Sequence, residues 1–156
     1  MSNLSIVRDK VNRYTAKLFN NVTVDEDGDL KVRVGSTAIF VSLNEFSDSD
    51  SRKFADEYGL SKIHLNAWAP VLIGVKPSNE FFKWVATEGQ EYIFGNFRAW
   101  KADEDDEYVL IFGIRIAADE LDETELRSAL WAVAETADAS DDELMKRFGG
   151  KRFEDN

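Results

Sequence analysis

The chain has no cysteine, one histidine and two prolines. Without cysteine there are no disulfides, no thiol nucleophile and no thiolate metal ligands. With His64 as the single imidazole, no histidine pair can hold zinc, and a serine–histidine–carboxylate set would have to be built on that residue. His64 alternates with Asn66 and Trp68, which fits a structural strand residue better than a general base. Basic side chains are few beside the acids, 19 against 30, giving a formal net charge of −11. A surface of that sign repels phosphate backbones and anionic lipid, so neither nucleic acid nor a membrane is expected as a partner. The longest apolar run, 108–118, is about half of what a bilayer-spanning helix requires and contains Arg115. Arg8, Asp9 and Lys10 fall where a secretory leader would be apolar, so a cytoplasmic location is expected. The glycines form neither a phosphate-cradling loop ending in Lys-Ser/Thr nor a dinucleotide fingerprint.

Aromatic residues, by contrast, are abundant: 11 Phe, 4 Tyr and 4 Trp in a chain of 156 residues that is 44% hydrophobic. That is enough apolar surface for one domain with a large core. Leu4, Val7, Val11, Tyr14 and Leu18 trace an amphipathic helix. The period then changes to two through Val22 and Val24, Leu30 to Val34, and Ile39 to Leu43, which predicts a three-stranded meander with turns at Asp25-Glu-Asp-Gly-Asp29 and Gly35-Ser36. A short helix within 47–59 is expected to pack through Phe54 and Tyr58 and to stop at Gly59. A strand follows over 62–75, bending or ending near Pro70. Ser78 caps a helix over 79–88 that stops at Gly89. Strands over 91–100 and 108–117 make a second hairpin, and the apolar residues on both sides of 108–117 predict that at least part of the sheet is covered on both faces. Asp122 with Glu125 starts a long helix with the stripe Leu126, Ala129, Leu130, Val133 and Ala137, and Ser140 with Glu143 suggests a separate last helix.

The order α-βββ-α-β-α-ββ-α-α describes an α+β fold: a single antiparallel sheet of about six strands flanked by helices. No linker divides it, so residues 1–150 are expected to be one domain and 151–156 a frayed tail.

Sites for chemistry are sparse. Asp25, Asp27 and Asp29 occupy the first, third and fifth places of a calcium loop, but the twelfth is Ser36 rather than a bidentate glutamate, so an ordinary turn is the better reading. The acidic run at 103–107 suits a solvated hairpin tip. Carboxylates are scattered, and no pair can be nominated as acid and nucleophile. No catalytic, cofactor-binding or metal-binding residue is therefore proposed, no cofactor is expected, and the chain is not expected to be an enzyme.

The aromatics give the one functional lead. Trp131 falls off the long helix's apolar stripe; Trp68 alternates with His64 and Asn66; Tyr92, Phe94 and Trp100 are expected on one strand face with Asn96 and Arg98. Mixed aromatic and polar faces of this kind serve interfaces. Trp68, Tyr92, Phe94, Trp100 and Trp131 are accordingly the candidate partner-binding residues, for a client protein or peptide or for a second copy of the chain. The overall acidic charge suggests a preference for basic or amphipathic clients.

The element order, the block Gly28-Asp-Leu-Lys-Val-Arg-Val-Gly35 with Ile39-Phe-Val41, and the ending Ala137-Asp138, Asp141-Asp-Glu-Leu144 and Arg147-Phe-Gly-Gly150 resemble the bacterial YbjN-like proteins, grouped with the type III secretion chaperones. The resemblance spans roughly 4–150. It implies a type III secretion chaperone-like fold and a non-enzymatic module, chaperone-like or adaptor, that holds an apolar or extended client segment, often as a homodimer. The alternative is a regulatory or sensory interaction domain that dimerises through the long helix.

Overall fold

Alternating apolar residues build a six-stranded, wholly antiparallel sheet in the order β1-β2-β3-β4-β6-β5. The computed structural model describes residues 3–103 and 106–155. Helix α1 (Asn3–Leu18) leads into β1 (Val22–Val24), β2 (Leu30–Val34) and β3 (Thr37–Glu45). The β1–β2 turn is the expected one, and Asp25 serves it directly: its Oδ1 accepts the Asp27 and Asp29 N–H groups, both at 2.9 Å. Gly28, at φ +84°, supplies the left-handed residue that the reversal needs.

Helix α2 (Ser49–Tyr58) starts at an Asp48 cap and stops at Gly59. Its aromatics do not anchor it, contrary to expectation. Phe54 and Tyr58 pair with each other at 4.8 Å but are 56% and 62% exposed, and Ala55 is its buried residue. Spacing of four puts two rings together on a helix surface whether or not anything covers them.

Strand β4 (Ile63–Val75) is the centre of the sheet and passes through Pro70 rather than ending there. Proline has no N–H to donate, and the ladder to β6 accordingly shifts register between Pro70 and Leu72 and again before Val75. The Thr37 hydroxyl donates to the Pro70 carbonyl at 3.1 Å, satisfying it where β3 begins. Helix α3 (Asn79–Ala86) is capped by Ser78 and followed by a 3-10 turn, Glu88–Gln90. Strand β5 (Asn96–Lys101) then starts later than the alternation suggests. Gln90 Nε2 donates to both Val85 O and Phe97 O, and Gly95 turns at φ +86°, so residues 91–95 form a loop instead of strand.

Strand β6 (Tyr108–Ala117) leads to α4 (Glu123–Phe148), with the Asp122–Glu125 capping box in place. The two helices expected at the end are one. Nothing between Ala137 and Ser140 breaks the helix, and Asp141 faces inward toward Ser36, so Ser140 is interior to α4 and not a cap. At the β5–β6 tip, Lys101 pairs with Asp106 and Lys76 with Glu107, while Glu104 and Asp105 of the acidic run lie outside the described residues.

Helices α1, α3 and α4 pack on one face of the sheet. There Leu30, Val32, Ile39, Leu65, Phe97, Phe112, Leu126 and Leu130 are all buried. Among the described residues no helix packs extensively on the other face, yet part of it is covered, as expected: Pro70 and Ile111 are buried there. The tail, expected to fray, is tied down instead: Ile73 and Lys151 exchange N–H···O bonds of 2.8 Å, and a 3-10 turn, Phe153–Asp155, lies on the helix-free face.

Candidate functional site on the open sheet face

Strand register decides which side chains share the open face. One cross-strand row runs Lys31, Phe40, Trp68, Gly113, Asn96; the next rows hold Ser42, Asn66 and Arg115, and Pro70, Ile111 and Arg98. Within this array Phe40 and Trp68 stack at 4.6 Å with 19° between their planes, and Trp68 meets Trp100 edge-on at 5.2 Å and 80°. Neighbouring rings at these separations prefer offset or edge-to-face contact, so the ladder is held in a fixed arrangement. Gly113 forms its floor. A Cβ there would fall on the Arg98 guanidinium and 3.0 Å from Trp68 Cβ, so the absent side chain is what lets the arginine lie flat beside the tryptophan.

The sign of charge on this face is opposite to that of the chain. Its strand positions carry Lys31, Arg33, Arg98 and Arg115 and no carboxylate, whereas the net charge is −11. The net charge from which a preference for basic clients was expected is therefore not the charge of this face. Arg98 and Arg115 line a shallow depression of ≈ 340 Å³ with Asn96 and Gly113. Burial, and then the neighbouring Arg115, push the Arg98 pKa down. Arg98 Nε and Nη2, Asn66 Oδ1 and His64 Nδ1 are buried with no hydrogen-bond partner among the described residues, and all belong to this face. Folded chains pair nearly all such groups, so their clustering here sets the face apart from the rest of the molecule.

At the other end of the ring ladder sits the tail. Phe153 meets Phe40 edge-on at 6.2 Å, with Lys31 Nζ 5.8 Å and Arg33 Cζ 5.6 Å from its ring centre. Arg152 pairs with Asp142 and Glu154.

The candidate residues fall in separate places. Trp68 and Trp100 come together in the ladder. Tyr92 and Phe94 do not share a strand face with Trp100, since β5 begins at Asn96; the Tyr92 ring instead turns onto Phe97 and Phe112 at 5.2 and 5.3 Å. Phe94 lines an apolar cleft of ≈ 350 Å³ with Ile114, Ile116, Leu121 and Ala129. This cleft lies where β6 continues past Gly113 without β5 beside it. Trp131 is 39% exposed and packs on Phe19 at 5.1 Å, remote in sequence and register from the ladder. Phe40, Arg115 and Phe153 were not singled out from sequence. The signal for Phe40 was its alternation with Ile39 and Val41, which places it on the same side as Ser42 and Asn44.

A family model described as T3SS (YopN, CesT) and YbjN peptide-binding chaperone 1, TY-Chap1, matches residues 5–156. Comparison with curated proteins gives no match. Among solved structures, the type III secretion chaperone SycH of Yersinia pestis, crystallised in complex with a stable fragment of YscM2, is similar at 14% identity. That alignment covers 84% of this chain and 96% of SycH with a TM-score of 0.49.

Proposed function

This chain belongs to the TY-Chap1 family of peptide-binding chaperones, which are binding proteins rather than enzymes, and on that premise we propose that it holds an extended client segment across the open face of its sheet. The observation that carries the reading is the ring ladder Phe40, Trp68 and Trp100 on the face opposite α1, α3 and α4, where among the described residues only the short 153–155 turn packs at the Phe40 end. Rings offer large contact area at low entropic cost, and Trp is prominent among residues that dominate binding energy. The cleft beside Phe94 adds an apolar pocket at an uncapped length of β6, where a client backbone can pair as an additional strand.

The test is binding to a permanently unfolded model protein, reduced and carboxymethylated α-lactalbumin, followed by fluorescence anisotropy. Wild type should bind, and a Trp68→Gln, Trp100→Gln variant that melts at a similar temperature should not. Equal binding by the two would move the site off this face.

Self-association has a separate candidate surface. The exposed Phe54 and Tyr58 pair on α2 stands on a helix with little contact to the rest of the fold, while α4 is committed to the sheet along its buried stripe. A dimer using α2 should become monomeric in a Phe54→Ser, Tyr58→Ser variant by analytical ultracentrifugation; dimerisation that survives places the contact elsewhere.

A further inference from the structure

We infer that the segment held on the open face is acidic: an extended stretch in which aspartate or glutamate stands beside aromatic residues. This rests on the open face being the client site and adds the chemistry of the client. The face presents Lys31, Arg33, Arg98 and Arg115 with no carboxylate in its strands. Among the described residues, none of these cations makes an ion pair. A chain with so many acids leaves this cationic set unmatched on one surface. Arg98 lies over Gly113 with Nε and Nη2 buried and unbonded, near a second guanidinium on Arg115. A carboxylate satisfies a guanidinium fork with two parallel charge-assisted bonds and relieves the repulsion between neighbouring cations. Asn66 Oδ1 accepts hydrogen bonds, which the backbone N–H groups of an extended segment supply.

The chain also shows what fits. Its own tail places the Phe153 ring on this face, against Phe40 and with the Lys31 and Arg33 cations close to it, while Glu154 pairs with Arg152. An aromatic ring is thus already seated at one end of the ladder, and among the described residues the cations beside it are left without an acid. The acids elsewhere on the molecule do not prevent an acidic segment from docking, because at physiological ionic strength charges are screened beyond about 8 Å, whereas the arginines act at contact. A basic client would set cations against Arg98 and Arg115. Phosphate polymers share the local attraction, but they must bring dense charge along their whole length to a strongly acidic protein.

The probes are short fluorescent peptides built from phenylalanine–glutamate–aspartate triplets, matched peptides in which every acid is serine or lysine, and labelled oligothymidylate. The wild-type full chain should bind the acidic peptide at least about tenfold more tightly than the lysine peptide, the difference made by one charge-assisted contact. An Arg98→Gln, Arg115→Gln variant should lose that preference while still binding the serine peptide. An Arg98→Lys, Arg115→Lys variant, which keeps the charge and loses the fork, should fall between and provides the test should the glutamine variant fail to fold. Equal affinity for all three peptides, unchanged in the arginine variants but abolished by Trp68→Gln, overturns the acidic preference and leaves the client site standing. Binding of no peptide and of no unfolded protein overturns the site itself. Tighter binding of oligothymidylate than of the acidic peptide overturns the inference in favour of nucleic acid.

Discussion

The Ser36 hydroxyl lies 2.6 Å from Asp138 Oδ1, joining the β2–β3 turn to α4 across 102 residues of sequence. The Ser36 N–H also donates to the same oxygen at 3.2 Å, and Ser36 Oγ is 2.9 Å from Oδ2 of the buried Asp141. This knot gathers the Gly35-Ser36 turn and the Asp138, Asp141 ending, of which Gly35, Asp138 and Asp141 are among the residues that resemble the family, and gives them a structural role: they fix the long helix against the meander.

Ser36→Ala removes the hydroxyl from both carboxylates. The expected loss of stability is about 1 kcal/mol, the net worth of one hydrogen bond, kept at the low end because Asp138 is largely exposed and screened. The Ser36 hydroxyl and N–H hold the Asp138 pKa below its ordinary value. A carboxylate whose folded-state pKa is depressed contributes stability above its unfolded pKa of about 3.9 and loses it as pH falls through the folded value. Wild type should therefore lose more stability than Ser36→Ala on going from neutral pH to below about pH 4, read from urea titrations at each pH. Parallel acid limbs would show that the contact stores no stability.

Leu130→Ala should cost about 2–5 kcal/mol, because Leu130 is fully buried on the α4 stripe against the sheet. Trp131→Ala should cost less, about 1 kcal/mol, since the ring loses its contact with Phe19 but is already part-exposed. Thermal and urea unfolding of both variants gives the comparison; a larger cost at Trp131 would reverse the assignment of the helix face.

Phe54→Ala with Tyr58→Ala should change monomer stability by no more than about 1 kcal/mol, the range of exposed substitutions away from core contacts. Chemical denaturation at low protein concentration isolates the monomer term. A loss of several kcal/mol would mean that α2 is anchored through its rings after all.

Gly113→Ala puts a methyl where the Arg98 guanidinium lies and close to Trp68 Cβ and the Ala67 carbonyl. The expected outcome is a stability loss of about 1–3 kcal/mol from overpacking, together with weakened peptide binding as the arginine is displaced. An alanine variant with unaltered peptide affinity would separate Gly113 from the site.

Much of the sheet was legible because alternation is strong where one face is buried: Ile39, Val41 and Leu43 against Phe40, Ser42 and Asn44 identify β3 and its inward side. The capping residues Ser78 and Asp122 were equally legible, since each needs only a local side chain and the N–H groups of its own first turn. The errors came where distant contacts decide. Ser140 with Glu143 has the form of a helix start, yet the continuous buried side of α4 through Asp141 and Leu144 overrides it. Alternation from Tyr92 to Trp100 has the form of a strand, yet Gln90 and Gly95 hold the first part as a loop. Trp68 and Trp100 could be picked out singly as off-core rings, but only the β4–β6–β5 pairing brings them together beside Arg98 and Arg115.

The tail gives the open face a direction. A ring covalently attached to the chain is present beside Phe40 at an effective concentration on the order of millimolar, so an incoming segment competes with Phe153 at that end. Near Trp100, Arg98 and Arg115 no such competitor is seated among the described residues. On the proposed reading a client would engage first at the arginine end and advance toward Phe40 only as it displaced Phe153, so the two halves of one segment would make unequal demands: charge for capture, and an aromatic residue able to outcompete the protein's own for completion.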